Sequence, residues 1–317
     1  MVRSISESAT SRSRIPSALK KMAQKESVWA ALFLVPALAT ILITRVWPAL
    51  GAAVSSLYTA LPGGVQAERF VGFANYRSLF ENQAFIDVLW RTVVFNLVIN
   101  PLQVGLALVL ALVMVRKMPL RGLLRTLLFL PATVPIVGST IAWGVALRPD
   151  GPVNAVITAL GGTPQPFFTS PEQSLATVII IASWIGVGYW MIFLIAGIEA
   201  IPEEYFEAAK LDRAGPVRTF FAVTLPQLKR PILFVLVACT VANFVLFVPI
   251  QLLTEGGPQS SSTILMFDAY RTTFVFGARN LGAAEVVILS AVMLAFVVMQ
   301  FMLLGEEKEP REEKEAR

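Results

Sequence analysis

Residues 175–200 read LATVIIIASWIGVGYWMIFLIAGIEA and run directly into residues 201–230, IPEEYFEAAKLDRAGPVRTFFAVTLPQLKR. The first stretch holds a single charge, Glu199, at its end. A helix of about 20 apolar residues crosses the ~30 Å hydrocarbon layer of a bilayer, so this stretch has the length and composition of a membrane span. It lacks the alternation of apolar and polar residues that a barrel strand needs, and in lipid a helix satisfies its backbone hydrogen bonds within one segment. The second stretch turns abruptly to charge and helix punctuation, which places a structured polar loop directly after the span.

Reading outward, five more stretches have spanning length: about 29–50, 88–115, 123–147, 232–253 and 283–304, with charges absent or near one end. Together the six predict an all-α polytopic membrane protein, with a transmembrane domain over 28–304 and tails at 1–27 and 305–317. At 56% hydrophobic and 15% charged residues, the chain is too apolar for an ordinary soluble domain of 317 residues. The Ser- and Arg-rich start resembles a signal peptide, but 29–50 is long enough to span and lacks a small-x-small cleavage pattern, so it reads as a retained first span.

The chain has no histidine and one cysteine, Cys239, which excludes His-dependent metal sites, Ser-His-Asp or Cys-His nucleophiles and an internal disulfide. The charge of +5 does not point to nucleic acid, because its placement has another cause. With the N-terminus inside, cytoplasmic segments hold 19 of the 26 Lys and Arg residues and external loops hold 5. That bias predicts both termini in the cytoplasm. Arg45 and Arg91 lie in spans near the outer surface, where they read as anchors. Pro101, Pro131, Pro135, Gly186 and Gly188 predict bent or interrupted spans. No series of ionisable residues lies deep in the spans, as a proton relay or voltage sensor needs.

The loop at 201–230 carries its own helix signals. Pro202 suits a first helical position, and Glu203 and Glu204 place negative charge in the first turn, predicting a helix over about 202–211. Tyr205, Ala208 and Ala209 share a face at i, i+3, i+4, a shallow surface open to close approach. Asp212 ends this helix or caps the next, and Pro216 opens a second helix that runs through Phe220 until Pro226.

Glu207-Ala208-Ala209, Asp212-x-Ala214, Phe220 and Thr224-Leu225-Pro226 resemble the EAA loop of permease subunits in binding-protein-dependent type I ABC importers. Its usual form is EAA-x-x-D-G-A followed by F and I-x-L-P. Phe70-Val71-Gly72-Phe73-Ala74-Asn75-Tyr76, Arg121-Gly122-x-x-Arg125-Thr126-x-x-Phe129-Leu130-Pro131 and Thr254-Glu255-Gly256-Gly257-Pro258 are similar to segments of the carbohydrate and glycerol-phosphate (maltose-type) subgroup. The resemblance implies that Glu207, Ala208 and Ala209 dock on a cytoplasmic ATPase, with Asp212, Arg213, Ala214 and Gly215 shaping the turn and Leu225 and Pro226 closing the loop. One departure stands out: Arg213 occupies the usual glycine position and a glycine follows at Gly215. The turn is therefore either shifted or holds Arg213 at positive φ.

No G-x-x-x-x-G-K-[ST] loop occurs, so the chain is expected to be no enzyme and to bind no cofactor; ATP and Mg belong to partner chains. The resemblance further implies a second homologous permease, two ATP-binding subunits, an extracytoplasmic substrate-binding protein and a bacterial or archaeal cytoplasmic (inner) membrane, with no nucleic acid. Substrate-pathway candidates are Trp184, Tyr189 and Trp190 in the fourth span, Thr240, Asn243 and Gln251 in the fifth, and Glu285 and Ser290 in the sixth. Aromatic and amide groups suit sugars, and Asn243 and Tyr189 are the foremost of these candidates, but packing between helices or an interfacial aromatic is the simpler account of each one. The alternatives are an ion-coupled secondary transporter or channel, marked by inverted repeats and buried coupling charges, and a non-transporting assembly subunit.

Overall fold

The computed structural model describes residue 29, residues 32–60 and residues 68–305, so both expected tails lie outside the described residues apart from Gly305. Among the described residues, five helices are long and apolar enough to cross a membrane, and a sharply bent helix pair raises the number to six. The chain divides into two compact units at Val54. The first unit's described part is helix α1 (Leu32–Ser55), whose last residue already belongs to the second. Its π-turn at Leu42–Val46 sends the Trp47 N–H to the Leu42 carbonyl, just before Pro48, which has no N–H to give.

The second unit opens with a two-stranded hairpin, β1 (Tyr58–Ala60) and β2 (Glu68–Phe70), with Tyr58 opposite Phe70. Helix α2 (Ala74–Glu81) follows, and Asn75 Nδ2 donates to the carbonyls of Ser56 and Tyr58 at 2.7 and 2.8 Å, tying α2 to the hairpin. Strands of three residues leave almost no periodic signal, so the sequence alone does not reveal them.

Helix α3 (Gln83–Val115) is 33 residues long and begins five residues before the expected span, because Asn82 caps it by accepting the Ala84 N–H at 3.0 Å. It keeps Pro101 in its interior. The expected third span is two helices, α4 (Arg121–Thr133) and α5 (Ile136–Ala146), bent by 96°. Pro135 supplies the reason: it pushes Val134 to an extended conformation, φ −79° and ψ 134°, which no helix continues through.

After α6 (Pro152–Ala159) comes α7 (Ser174–Glu199), unbroken despite Gly186 and Gly188. Gly188 serves close packing instead: a Cβ there would lie 2.0 Å from the Leu128 carbonyl oxygen on α4. Helix α8 (Glu203–Leu211) lies in the loop. The fifth span is interrupted near its far end, giving α9 (Lys229–Phe244) and α10 (Val248–Leu253), with Pro249 in the first turn of α10. A short α11 (Leu265–Tyr270) and α12 (Arg279–Leu304) complete the unit.

Ala107, Ala111 and Met114 of α3 pack with Met191, Leu194 and Ile198 of α7 and with Val235 and Cys239 of α9. At the other end, Phe85 and Val88 of α3 meet Phe244 of α9 and Ile288 of α12. Helices α3, α7 and α12 therefore run parallel, α9 runs against them, and the 201–230 loop sits at the end where α3 and α7 finish. Lipid gives little hydrophobic drive between helices, so small-residue contact and buried polar bonds do the holding.

Candidate functional site

Helix α8 buries none of its residues. Pro202 is its N-cap, at φ −57° and ψ 138°, one position earlier than expected, and Glu203 and Glu204 fill the first turn with Lys210 in the last. The helix closes in a Schellman turn: Ala214 N–H donates to the Ala209 carbonyl at 2.9 Å and Arg213 N–H to the Lys210 carbonyl at 3.0 Å. The left-handed position falls on Arg213, φ 53°, while Gly215 is extended at φ −68°. Of the two expected turn geometries, the structure adopts the strained one. A left-handed non-glycine residue costs roughly 1–2 kcal/mol. Arg213→Gly is accordingly expected to slow amide exchange across the α8 C-terminus by about 5-fold or more, and unchanged exchange would contradict the strain.

Beyond the turn, Pro216 opens a helical segment as expected, but Pro226 does not end it. A π-turn at Phe220–Thr224 sends the Leu225 N–H to the Phe220 carbonyl and continues through Pro226 toward α9. Widening the helix ahead of Pro226 removes the clash and the missing bond that an α-helical interior would impose. Leu228, fully buried, donates to the Thr224 carbonyl at 3.0 Å, so the loop passes stiffly into the fifth span.

The loop's other root is also fixed. Glu199, the last residue of α7, accepts from Arg121 at 2.7 Å and from Arg125 at 2.8 Å, both on α4. Arg125 also donates to the Met114 carbonyl at the end of α3, at 3.0 Å. The pairs are partly exposed and each contributes at most about 1 kcal/mol, but they join three helix ends four residues before α8. Between these roots the loop exposes apolar groups: Leu211 at 84%, Val217 at 72% and Phe221 at 62%. Phe206, Lys210 and Phe220 line a groove of about 620 Å³ against Leu112 and Val115 of α3.

Of the pathway candidates, Asn243 Nδ2 donates to Asn100 Oδ1 at 2.8 Å and Gln103 Oε1 at 3.1 Å, inside the chain. Cys239 joins them, its Sγ 3.0 Å from Gln103 Oε1. Thr240 is buried and accepts from Gln300 Nε2 at 2.7 Å. Trp190 is buried, whereas Trp184 and Tyr189 are each 43% exposed, Trp184 edge-on to Trp143 and Tyr189 edge-on to Trp190 and Phe193. Gln251 is half-buried, and exposed Ser290 bonds back to the Val286 carbonyl. Asn96, Asn100 and Gln103 escape the sequence reading as a group, although their spacing on α3 marks a polar stripe down one helix face.

An exposed, internally braced helix slung between two spans of an apolar helical bundle is the build of a multi-pass membrane component. A family model described as binding-protein-dependent transport system inner membrane component matches residues 103–306, and the chain belongs to that family. It is 34% identical over 285 residues to the lactose transport system permease protein LacF of Rhizobium radiobacter, covering 87% of this chain and 94% of that protein. It is 32% identical over 278 residues to the sn-glycerol-3-phosphate transport system permease protein UgpA of Pectobacterium atrosepticum, covering 87% and 94%. Its fold matches, with TM-score 0.76 and 22% identity over 90% of this chain and 96% of the other, a chain in the crystal structure of a bacterial alginate ABC transporter in complex with an alginate pentasaccharide-bound periplasmic protein. The chain is thus a transporter component and no enzyme.

Proposed function

We propose that this chain forms half of the translocation pathway of an ATP-driven importer for a sugar or sugar-like solute. Supporting this reading are the permease relatives, which are named for lactose and for glycerol phosphate transport. The observation that carries it is α8, a nine-residue helix with no buried side chain, rooted rigidly in α7 and α9. Glu207 and Ala208 are exposed on it and Ala209 half-exposed, which lets a partner surface approach the backbone closely.

In this reading a second homologous permease completes the pathway across a pseudo-two-fold axis, and two partner subunits hold ATP and Mg. Their closure pushes on α8, and the stiff passage through Leu228 into α9, with the Glu199 tie to α3 and α4, turns that push into helix movement. A binding protein delivers solute at the opposite end. Of the aromatic pathway candidates, Trp184 and Tyr189 are the two that this chain leaves half-exposed and so free to face the second permease.

The test is purification of the tagged chain from its native membrane, followed by reconstitution with its co-purifying subunits. An ATPase should co-purify, and its hydrolysis should rise several-fold on adding loaded binding protein. Isolation of the chain without an ATPase would overturn the proposal.

A further inference from the structure

At the end of the bundle opposite α8, a cavity of about 480 Å³ lies among the first turns of α3 and α12, α11 and the π-turn at Arg271–Val275. That volume is in the range of small-molecule sites, ~300–1,000 Å³. Five charged groups line it: Asp87 at its exposed mouth, half-buried Arg91, Asp268 and Arg271, and buried Glu285. Arg91, read from the sequence as a surface anchor, instead turns inward and donates to the Thr263 carbonyl at 3.1 Å.

Two features indicate that the cavity is built to hold something. Glu285 is 2% exposed, and while its Oε1 accepts from Thr272 at 3.0 Å, its Oε2 has no partner. Leaving a buried polar atom bare is costly, and more so when the group is charged. Second, the opposite charges do not close on one another. Among the described residues no ion pair within 4.0 Å joins the two arginines to the three carboxylates, although Asp268 feels both Arg271 and Arg91. Burial raises the Asp268 carboxyl from its ordinary value in spite of them, and the Arg271 guanidinium rests over the Phe267 and Phe276 rings at 5.9 and 5.2 Å.

We propose that this cavity is a binding site for a neutral, hydroxyl-rich solute, a station on the solute's route at the end remote from α8. Asp87 and Asp268 match the two arginines in number, so the cavity favours neither an anion nor a bare cation. No group of three His, Cys, Asp or Glu side chains suited to a metal occurs among the described residues. A hydroxyl both donates and accepts, so one polyol donates to Glu285 Oε2 and Asp268 while it accepts from Arg91 or Arg271. Phe85 and Phe276 offer apolar wall to its C–H faces. The inference rests on the reading of the cargo as sugar-like, but its test is independent of ATPase coupling.

The experiment is saturation-transfer NMR and calorimetry on the full-length chain with its co-purifying subunits in lipid nanodiscs. The probes are glycerol, glucose, lactose and maltose, with sulfate and choline as charged controls. At least one neutral probe should bind and lose 10-fold or more in affinity in both Glu285→Gln and Asp268→Asn, with melting temperatures showing that the variants remain folded. Should Glu285→Gln fail to fold, Asp268→Asn and Arg271→Gln carry the same expectation. Absence of binding by every neutral probe, affinities unchanged in the variants, or displacement by a charged control would overturn the site. Sugar binding to a chain that captures no ATPase would leave the site standing and remove only the coupling proposal.

Discussion

Glu207→Lys is expected to cut binding-protein-stimulated ATP hydrolysis and solute uptake by about 30-fold or more, while the chain still folds and inserts. Glu207 is solvent-exposed, and α8 buries no side chain, so the substitution removes nothing from the fold. If α8 docks as proposed, the effect falls on the interface. A carboxylate buried against a basic group of a partner and then reversed in sign loses ~2–5 kcal/mol, most of it from the partner charge left unpaired. Each 1.4 kcal/mol is about tenfold in an equilibrium, so even the lower figure gives roughly 30-fold. Normal stimulation of the complex carrying Glu207→Lys would place docking elsewhere.

Gly188→Val should act in the opposite way, through folding alone. A Cβ at this position would meet the Leu128 carbonyl oxygen at 2.0 Å, the Leu128 carbonyl carbon at 2.8 Å and the Phe129 Cα at 3.1 Å. All three are backbone, so no side chain can swing aside, and α4 itself must move. Overpacking of this kind costs typically ~1–3 kcal/mol and more where helices must separate. The expected result is a drop of several degrees in melting temperature in detergent and a marked fall in membrane yield. Gly105→Ala on α3 is the counterpart: a Cβ there meets nothing within 4 Å, and the exchange removes a weak helix former, so it should be neutral or stabilising by up to ~1 kcal/mol. Equal responses at the two glycines would contradict the close approach of α4 and α7.

The contrast between these glycines marks what the residues alone can and cannot reveal. Apolar length determines that 175–200 spans, and helix punctuation at Pro202, Asp212 and Pro216 marks the loop, because both depend on local chemistry. Positive φ at Arg213 is one of two readings of a shifted glycine, and only the turn's hydrogen bonds to Ala209 and Lys210 decide between them. Where neighbours decide, local reading fails. Gly188 looks like a break but is a contact, and Pro226 looks like a stop but follows a π-turn that accommodates it. Pro135 does break its span, by an angle that depends on what α4 and α5 each pack against. Glu285 is legible as a pathway candidate and Arg91 as an anchor; that they share a cavity depends on segments about 200 residues apart.

The proposed docking of α8 can be probed most directly by a single thiol. Cys239 is the chain's one cysteine and is fully buried, so Ala208→Cys supplies the sole accessible thiol. A short photoactivatable cross-linker on that thiol, in the intact complex in native membrane, should join the chain to an ATP-binding subunit in high yield, and the yield should change when ATP is added. A probe at Ala208 that labels only lipid and solvent, with and without ATP, would contradict the account.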